Sequence, residues 1–144
     1  MFAVDTNILV PAANVSEPAS PACRTLVERW RMSAAPWFVT WSVLYEFMRV
    51  VTHRRFFAGP WTGDSAWEFV EALLASPSLQ VLVPTERHAA VAAEVVGLGL
   101  NVHGNIWHDA HIAILMREHG IRTIYTQDMD FHRFPFLEVI DPTV

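Results

Sequence analysis

Three observations predict an α/β protein. Short apolar runs of strand length alternate with longer stretches of helical period. Hydrophobic residues make up 52% of the 144 positions, enough to bury a core without a disulfide or a structural metal. Pro/Gly/Ser clusters at 16–21, 59–63 and 76–78 punctuate the chain, yet none is long enough to act as a linker between domains, so one domain over 1–144 is expected.

The elements follow in order. Phe2–Val4 is the first expected strand, and Asp5 can cap the helix behind it. Ala22, Leu26 and Trp30 recur at helical spacing. Trp37–Val39 is the second strand. Val43, Leu44, Phe47, Val50 and Val51 then form the apolar stripe of a helix, and Trp67, Val70 and Leu74 that of the next. Val81–Val83 is the third strand, followed by helical spacing at Ala89, Ala92 and Val96. From about Asn105 a last long helix turns Ile106, Ala110, Ala113 and Ile114 inward. Gly120 ends it, with Arg117 and His119 facing the negative end of its dipole. Thr123–Tyr125 and Glu138–Ile140 complete five strands, short and mostly apolar, as strands covered on both faces are.

Composition removes several functions. The net charge of −5 argues against a protein that simply coats nucleic acid. All ten basic residues are arginine, so a Walker A phosphate loop, a receiver domain and Schiff-base chemistry each lack their lysine. The single cysteine, Cys23, reads as a small buried apolar residue. No apolar run approaches the ~20 residues of a membrane span, and Met1–Asp5 is not a signal peptide, so a cytoplasmic protein is expected.

Four acids stand in informative places. Asp5 closes the first strand, where open parallel sheets bind ligands, though it also suits a helix cap. Glu46 borders the inward stripe of its helix and needs a metal, water or a partner such as Arg49. Asp109 opens the last long helix, where an acid also compensates the dipole. Asp128 and Asp130 follow the fourth strand, where an Asx-type turn is the alternative. If these groups converge they require a cation, because two like charges ~4 Å apart repel by about 4 kcal/mol at an effective dielectric near 20. Ligation by oxygen alone favours Mg²⁺ or Mn²⁺.

The ordered set Asp5–Thr6–Asn7, Tyr45–Glu46–Phe47–Met48–Arg49, His108–Asp109–Ala110–His111–Ile112–Ala113 and Thr126–Gln127–Asp128–Met129–Asp130–Phe131 resembles PIN domains, most of all the VapC ribonuclease toxins. Arg49–Val50–Val51–Thr52–His53 and Phe131–His132–Arg133–Phe134–Pro135 extend the likeness, and Phe136 departs from it where glycine is expected. The resemblance implies a three-layer α/β/α fold with a mostly parallel five-stranded sheet. It implies Mg²⁺- or Mn²⁺-dependent RNA cleavage by a metal-activated water, leaving a 5′-phosphate and a 3′-hydroxyl. It further implies a homodimer and a VapB-type antitoxin that blocks the site. Carried onto this chain, it makes Asp5, Glu46 and Asp109 the metal carboxylates. The fourth is Asp128 or Asp130, while Thr6, Asn7 and Thr126 orient the acids.

The remaining candidates rest on their own chemistry. His108 and His111 lack the companions of a zinc site and are expected to flank the acids or to sit at a protein interface. Arg49, Arg54 and Arg55, with Phe56 and Phe57 beside them, suit phosphates and stacked bases, or a solvated surface. Trp61, in the Gly59–Gly63 loop, is expected to be exposed. A phosphatase acting through an aspartyl phosphate would favour Asp-x-Asp, but Asn7 takes the second place. A catalytically silent module that keeps the fold and binds RNA or protein is the remaining alternative.

Overall fold

A computed structural model describes residues 1–14 and 16–144. Among the described residues, five strands alternate with six α-helices and one 3₁₀ turn. The order is β1 (Phe2–Val4), α1 (Thr6–Ala13), α2 (Ser20–Met32), β2 (Trp37–Thr40), α3 (Trp41–Val51), α4 (Gly63–Leu74), β3 (Leu79–Leu82), α5 (His88–Gly97), α6 (Ile106–Glu118), β4 (Thr123–Tyr125), the turn Met129–Arg133 and β5 (Glu138–Ile140).

All four strand pairings are parallel, in the order β3-β2-β1-β4-β5. Parallel strands need crossovers, and crossovers are right-handed. The first two connections step from β1 to β2 to β3. The third returns past β1 to β4. Opposite steps with one hand put α1–α4 on one face and α5–α6 on the other, which gives three layers. Because every strand points the same way, all five carboxyl ends share one rim.

Burial sets which residues form each element. The strand β2 is buried along its whole length, from Trp37 to Thr40. On α3, Val43, Leu44, Phe47 and Val51 form one unbroken inward stripe. Phe47 is fully buried and stacks on Phe69 with ring centroids 4.7 Å apart. Truncating such a ring costs about 3–5 kcal/mol. Thr40 caps α3 by accepting the Val43 amide at 3.2 Å, which fixes where the strand stops and the helix starts. Gly120 follows α6 with φ +71°, the left-handed conformation that ends a helix at little cost. Cys23 is buried, as its residue type predicts.

Several expectations about faces and bounds need correction. On α2 the inward residues are Cys23, Val27 and Trp30, with Ala22 exposed. On α5 they are Val91 and Val95, while Ala89 and Val96 face out. Apart from His88 and Glu94 that helix is alanine, valine and glycine, so periodicity gave a weak choice of face, and the better-packing valines decide it. On α4, Ala66, Val70 and Leu73 turn inward and Trp67 is exposed. Val83 lies beyond β3, which starts two residues earlier than expected and ends at Leu82. Trp61 is half-buried rather than exposed, edge-on to Phe47, Phe57 and Phe69. Phe136, the departure from the family pattern, packs on Phe134 and lies under the Arg117 guanidinium at 4.9 Å.

Candidate active site

A cleft of about 880 Å³ opens at the carboxyl rim of the sheet. Asp5, Glu46, Asp109, Asp128 and Asp130 all line it. They reach it from four places: Asp5 from the end of β1, Glu46 from the middle of α3, Asp109 from the first turn of α6, and Asp128 and Asp130 from the turn after β4.

Asp5 is the most buried of them, 9% exposed, and the most thoroughly held. One carboxylate oxygen accepts the Thr6 amide at 2.7 Å. The other accepts the Asn7 side-chain amide at 2.9 Å and the Thr126 hydroxyl at 2.7 Å. Asn7 then accepts the Gln127 amide at 3.0 Å, and the Thr126 oxygen accepts the Asp128 amide at 2.9 Å. The Thr6 hydroxyl donates to the Val43 carbonyl at 3.2 Å, tying this loop to α3. Thr6, Asn7 and Thr126 thus join three elements around one carboxylate. Burial pushes the Asp5 carboxyl up from its ordinary value. The Thr126 and Thr6 hydrogen bonds oppose this, while Asp128 and Glu46 add to it.

Asp109, Asp128 and Asp130 each offer an oxygen within 4.8 Å of the others. Burial, then the charges of Asp128, Asp5 and Asp130, push Asp109 up to about 7, with Arg133 alone pulling the other way. Asp128 accepts the Asp130 amide at 2.8 Å, so the Asx turn and the cluster coexist. Asp130 is paired with Arg133 at 2.6 Å, and Arg133 also reaches the Asn101 carbonyl.

Glu46 makes a two-pronged pair with Arg49, at 2.8 and 2.5 Å. The Arg49 hydrogen bond holds its carboxyl below the usual range, against a smaller opposing effect of burial. Both residues line the cleft. Arg54 and Arg55 are exposed and do not line it, because they follow the end of α3. His108 lines it and His111 is exposed. Burial, with His88 and His108 nearby, lowers the pKa of His111.

Sequence reasoning missed three groups. Glu17, after α1, is a further acid on the cleft wall. Gln127 donates its side-chain amide to the Asn7 carbonyl at 3.2 Å. Arg133 stands three residues after Asp130, a spacing that signals a pair once a helical turn is assumed there.

Such a set of oxygen donors fits a hard divalent cation. Three carboxylates approach one another, a fourth is held buried beside them, and one of the cluster is driven towards protonation for want of positive charge. A parallel α/β sheet with this acidic rim is the arrangement expected of a PIN-type metal nuclease. The PIN domain model matches residues 2–137, and the chain belongs to that family. Within it the chain falls among the VapC proteins. It is 37% identical to ribonuclease VapC43 of Mycobacterium tuberculosis over 93% of this chain and 90% of that one. It is 31% identical to ribonuclease VapC48 of the same species, over 96% and 94%. Its fold matches a chain of the VapBC2 structure from Rickettsia felis, bound to a DNA fragment from their promoter. The TM-score is 0.67 at 18% identity, covering 96% of each chain.

Proposed function

We propose that this chain is a divalent-metal-dependent endoribonuclease, the toxin of a toxin–antitoxin pair. Asp5, Glu46, Asp109 and Asp128 are the carboxylates that hold Mg²⁺, with Mn²⁺ able to replace it. The observation that carries this reading is the cleft: acids from four separate elements line one cavity, and burial, then the charges of Asp128, Asp5 and Asp130, push Asp109 up to about 7. The relatives named ribonucleases match more than nine-tenths of the chain.

A bound Mg²⁺ supplies a more acidic water and neutralises charge on the phosphate as it is attacked. The chain's own groups do the rest. Asp5 is kept in place by Thr6, Asn7 and Thr126, so it needs little reorganisation to ligate. Asp128 is the better fourth ligand, since its charge bears on both Asp5 and Asp109, whereas that of Asp130 bears on Asp109 alone. Glu46 would hold the ion from α3, and Arg49, which lines the same cleft, would be available to pair with a phosphate of the RNA. Arg54 and Arg55 lie outside the cleft and meet more distant phosphates.

A VapB-like antitoxin is the natural partner, since the Rickettsia felis neighbour is a VapBC assembly. A homodimer and action in the cytoplasm belong to the same reading. No helix among the described residues is long and apolar enough to cross a membrane. The test is cleavage of structured and single-stranded RNA by the purified protein. Cutting is expected with Mg²⁺ and none with EDTA, and Asp5→Asn and Glu46→Gln should both be inactive yet folded. Full cutting by either variant, or cutting that survives the chelator, overturns the assignment.

A further inference from the structure

We infer that the solvent edge of α3 is a stacking platform for unpaired nucleobases beside the cleft, an inference that rests on the ribonuclease reading. Trp41, Tyr45 and Arg49 are four residues apart, so they lie in one row along the helix, about 12 Å long. The next row on the same helix, Ser42, Glu46 and Val50, lines the cleft, and Arg49 reaches it from the first row. The platform therefore borders the acids along its length and shares Arg49 with them.

Both rings are open to solvent. Trp41 is 39% exposed and Tyr45 62%. Single exposed apolar residues are ordinary on a protein surface, but these two are neighbours, with centroids 5.9 Å apart and planes inclined by 33°. They are tilted against each other rather than parallel, and both keep solvent-exposed area on which a flat partner can lie. Where the row ends, the Arg49 guanidinium sits 5.4 Å over the Phe56 ring, so the alternation of aromatic and cation continues past the helix.

Charge selects the occupant. The cleft is acidic and the whole chain carries −5, so the scissile region repels a polyanion. Arg49, Arg54 and Arg55 stand within seven residues with no acid among 49–55. Aromatic faces joined to a short cationic stretch match a single strand, whose bases stack and whose phosphates pair with arginine. In a duplex the bases are already stacked on one another, and their faces are unavailable to these rings.

The test uses Asp5→Asn protein in EDTA, which binds without cutting, and a short fluorescent RNA in three forms: single-stranded, duplex, and abasic with the same phosphates. Trp41→Ala and Tyr45→Ala should each weaken single-strand binding about tenfold. They should leave abasic binding unchanged, and Trp41→Phe should restore most of the loss. Trp67→Ala, an exposed tryptophan on α4, should change nothing. Equal losses on the abasic strand, or single-strand affinity kept in the alanine variants, overturn the platform. So does sedimentation showing that the variants only break a dimer while RNA affinity stands. If wild-type protein cuts RNA but the alanine variants bind normally, the ribonuclease reading survives and the platform falls. If wild-type protein neither binds nor cuts RNA, the ribonuclease reading fails first.

Discussion

Asp109 and Glu118 sit at opposite ends of α6, and the fold treats them in opposite ways. Burial alone would raise the pKa of Glu118. The Thr85 hydroxyl, the His88 ring at 2.7 Å and the Thr85 amide at 2.6 Å outweigh it and hold Glu118 at about 2. Asp109 meets burial and three other acids, and rises to about 7. Both carboxylates are partly or wholly withdrawn from water on one helix. One is satisfied by its neighbours and latches α5 to α6. The other is left short of positive charge at the rim. On this helix the carboxylate whose surroundings oppose its ionised form lines the cleft, and the one whose surroundings favour that form lies away from it and holds two helices together.

The largest test of this contrast is substitution at both ends. Asp109→Asn should lower RNA turnover by about 10³-fold or more, while its thermal midpoint holds or rises because like-charge repulsion is relieved. Glu118→Ala should do the reverse. Stability falls by about 3 kcal/mol, roughly 10 °C in the midpoint, with turnover little changed at temperatures where the protein stays folded. A stable Glu118→Ala protein would break the comparison.

Stability against pH sharpens it next. Asp109 has a folded pKa above its ordinary 3.8, so its contribution is fully present below that value and is lost as pH rises through about 7. Glu118 is depressed below its ordinary 4.5, so its contribution is present above that value and is lost as pH falls towards about 2. Metal-free protein should therefore lose midpoint between pH 5 and pH 8, and Mg²⁺ should restore more at pH 8 than at pH 5, as scanning calorimetry can check. Asp109→Asn should flatten that slope, whereas Glu118→Gln should leave it intact.

The smallest effect belongs to Arg49. Its pair with Glu46 is about half exposed and so contributes little to stability. Arg49→Ala should leave the thermal midpoint nearly unchanged, yet tighten Mg²⁺ binding a few-fold by freeing Glu46, as titration calorimetry on the metal-free protein would read.

Much of this was legible in the sequence, and the exceptions have physical causes. Five strands and the stripe of α3 were readable because short apolar runs and a two-sided helix leave little choice. The faces of α2, α4 and α5 were misread wherever alanine or an amphipathic tryptophan could sit on either side. At the site, the order and flanks of Asp5, Glu46, Asp109 and Asp128 carried the family likeness. The modest readings of these acids held as well: Asp5 caps α1, Asp128 closes an Asx turn and Glu46 pairs with Arg49. Local roles and convergence are compatible, which is why no single acid could decide the matter. The Glu118 latch was invisible because its partner Thr85 lies 33 residues away, across a packing of α5 on α6 that no local spacing encodes.

The hydrogen bond from Asn7 to Thr126 spans 119 positions and crosses the central pair of strands. A growing polypeptide must therefore be synthesised almost to its last element before Asp5 acquires its stabilising hydroxyl and Asp128 takes its place. Shorter nascent chains carry Asp5, Glu46 and even Asp109 without the partners that orient them. Assembly of the acidic site is thus delayed until translation of this protein is nearly finished, because β4 falls late in the sequence.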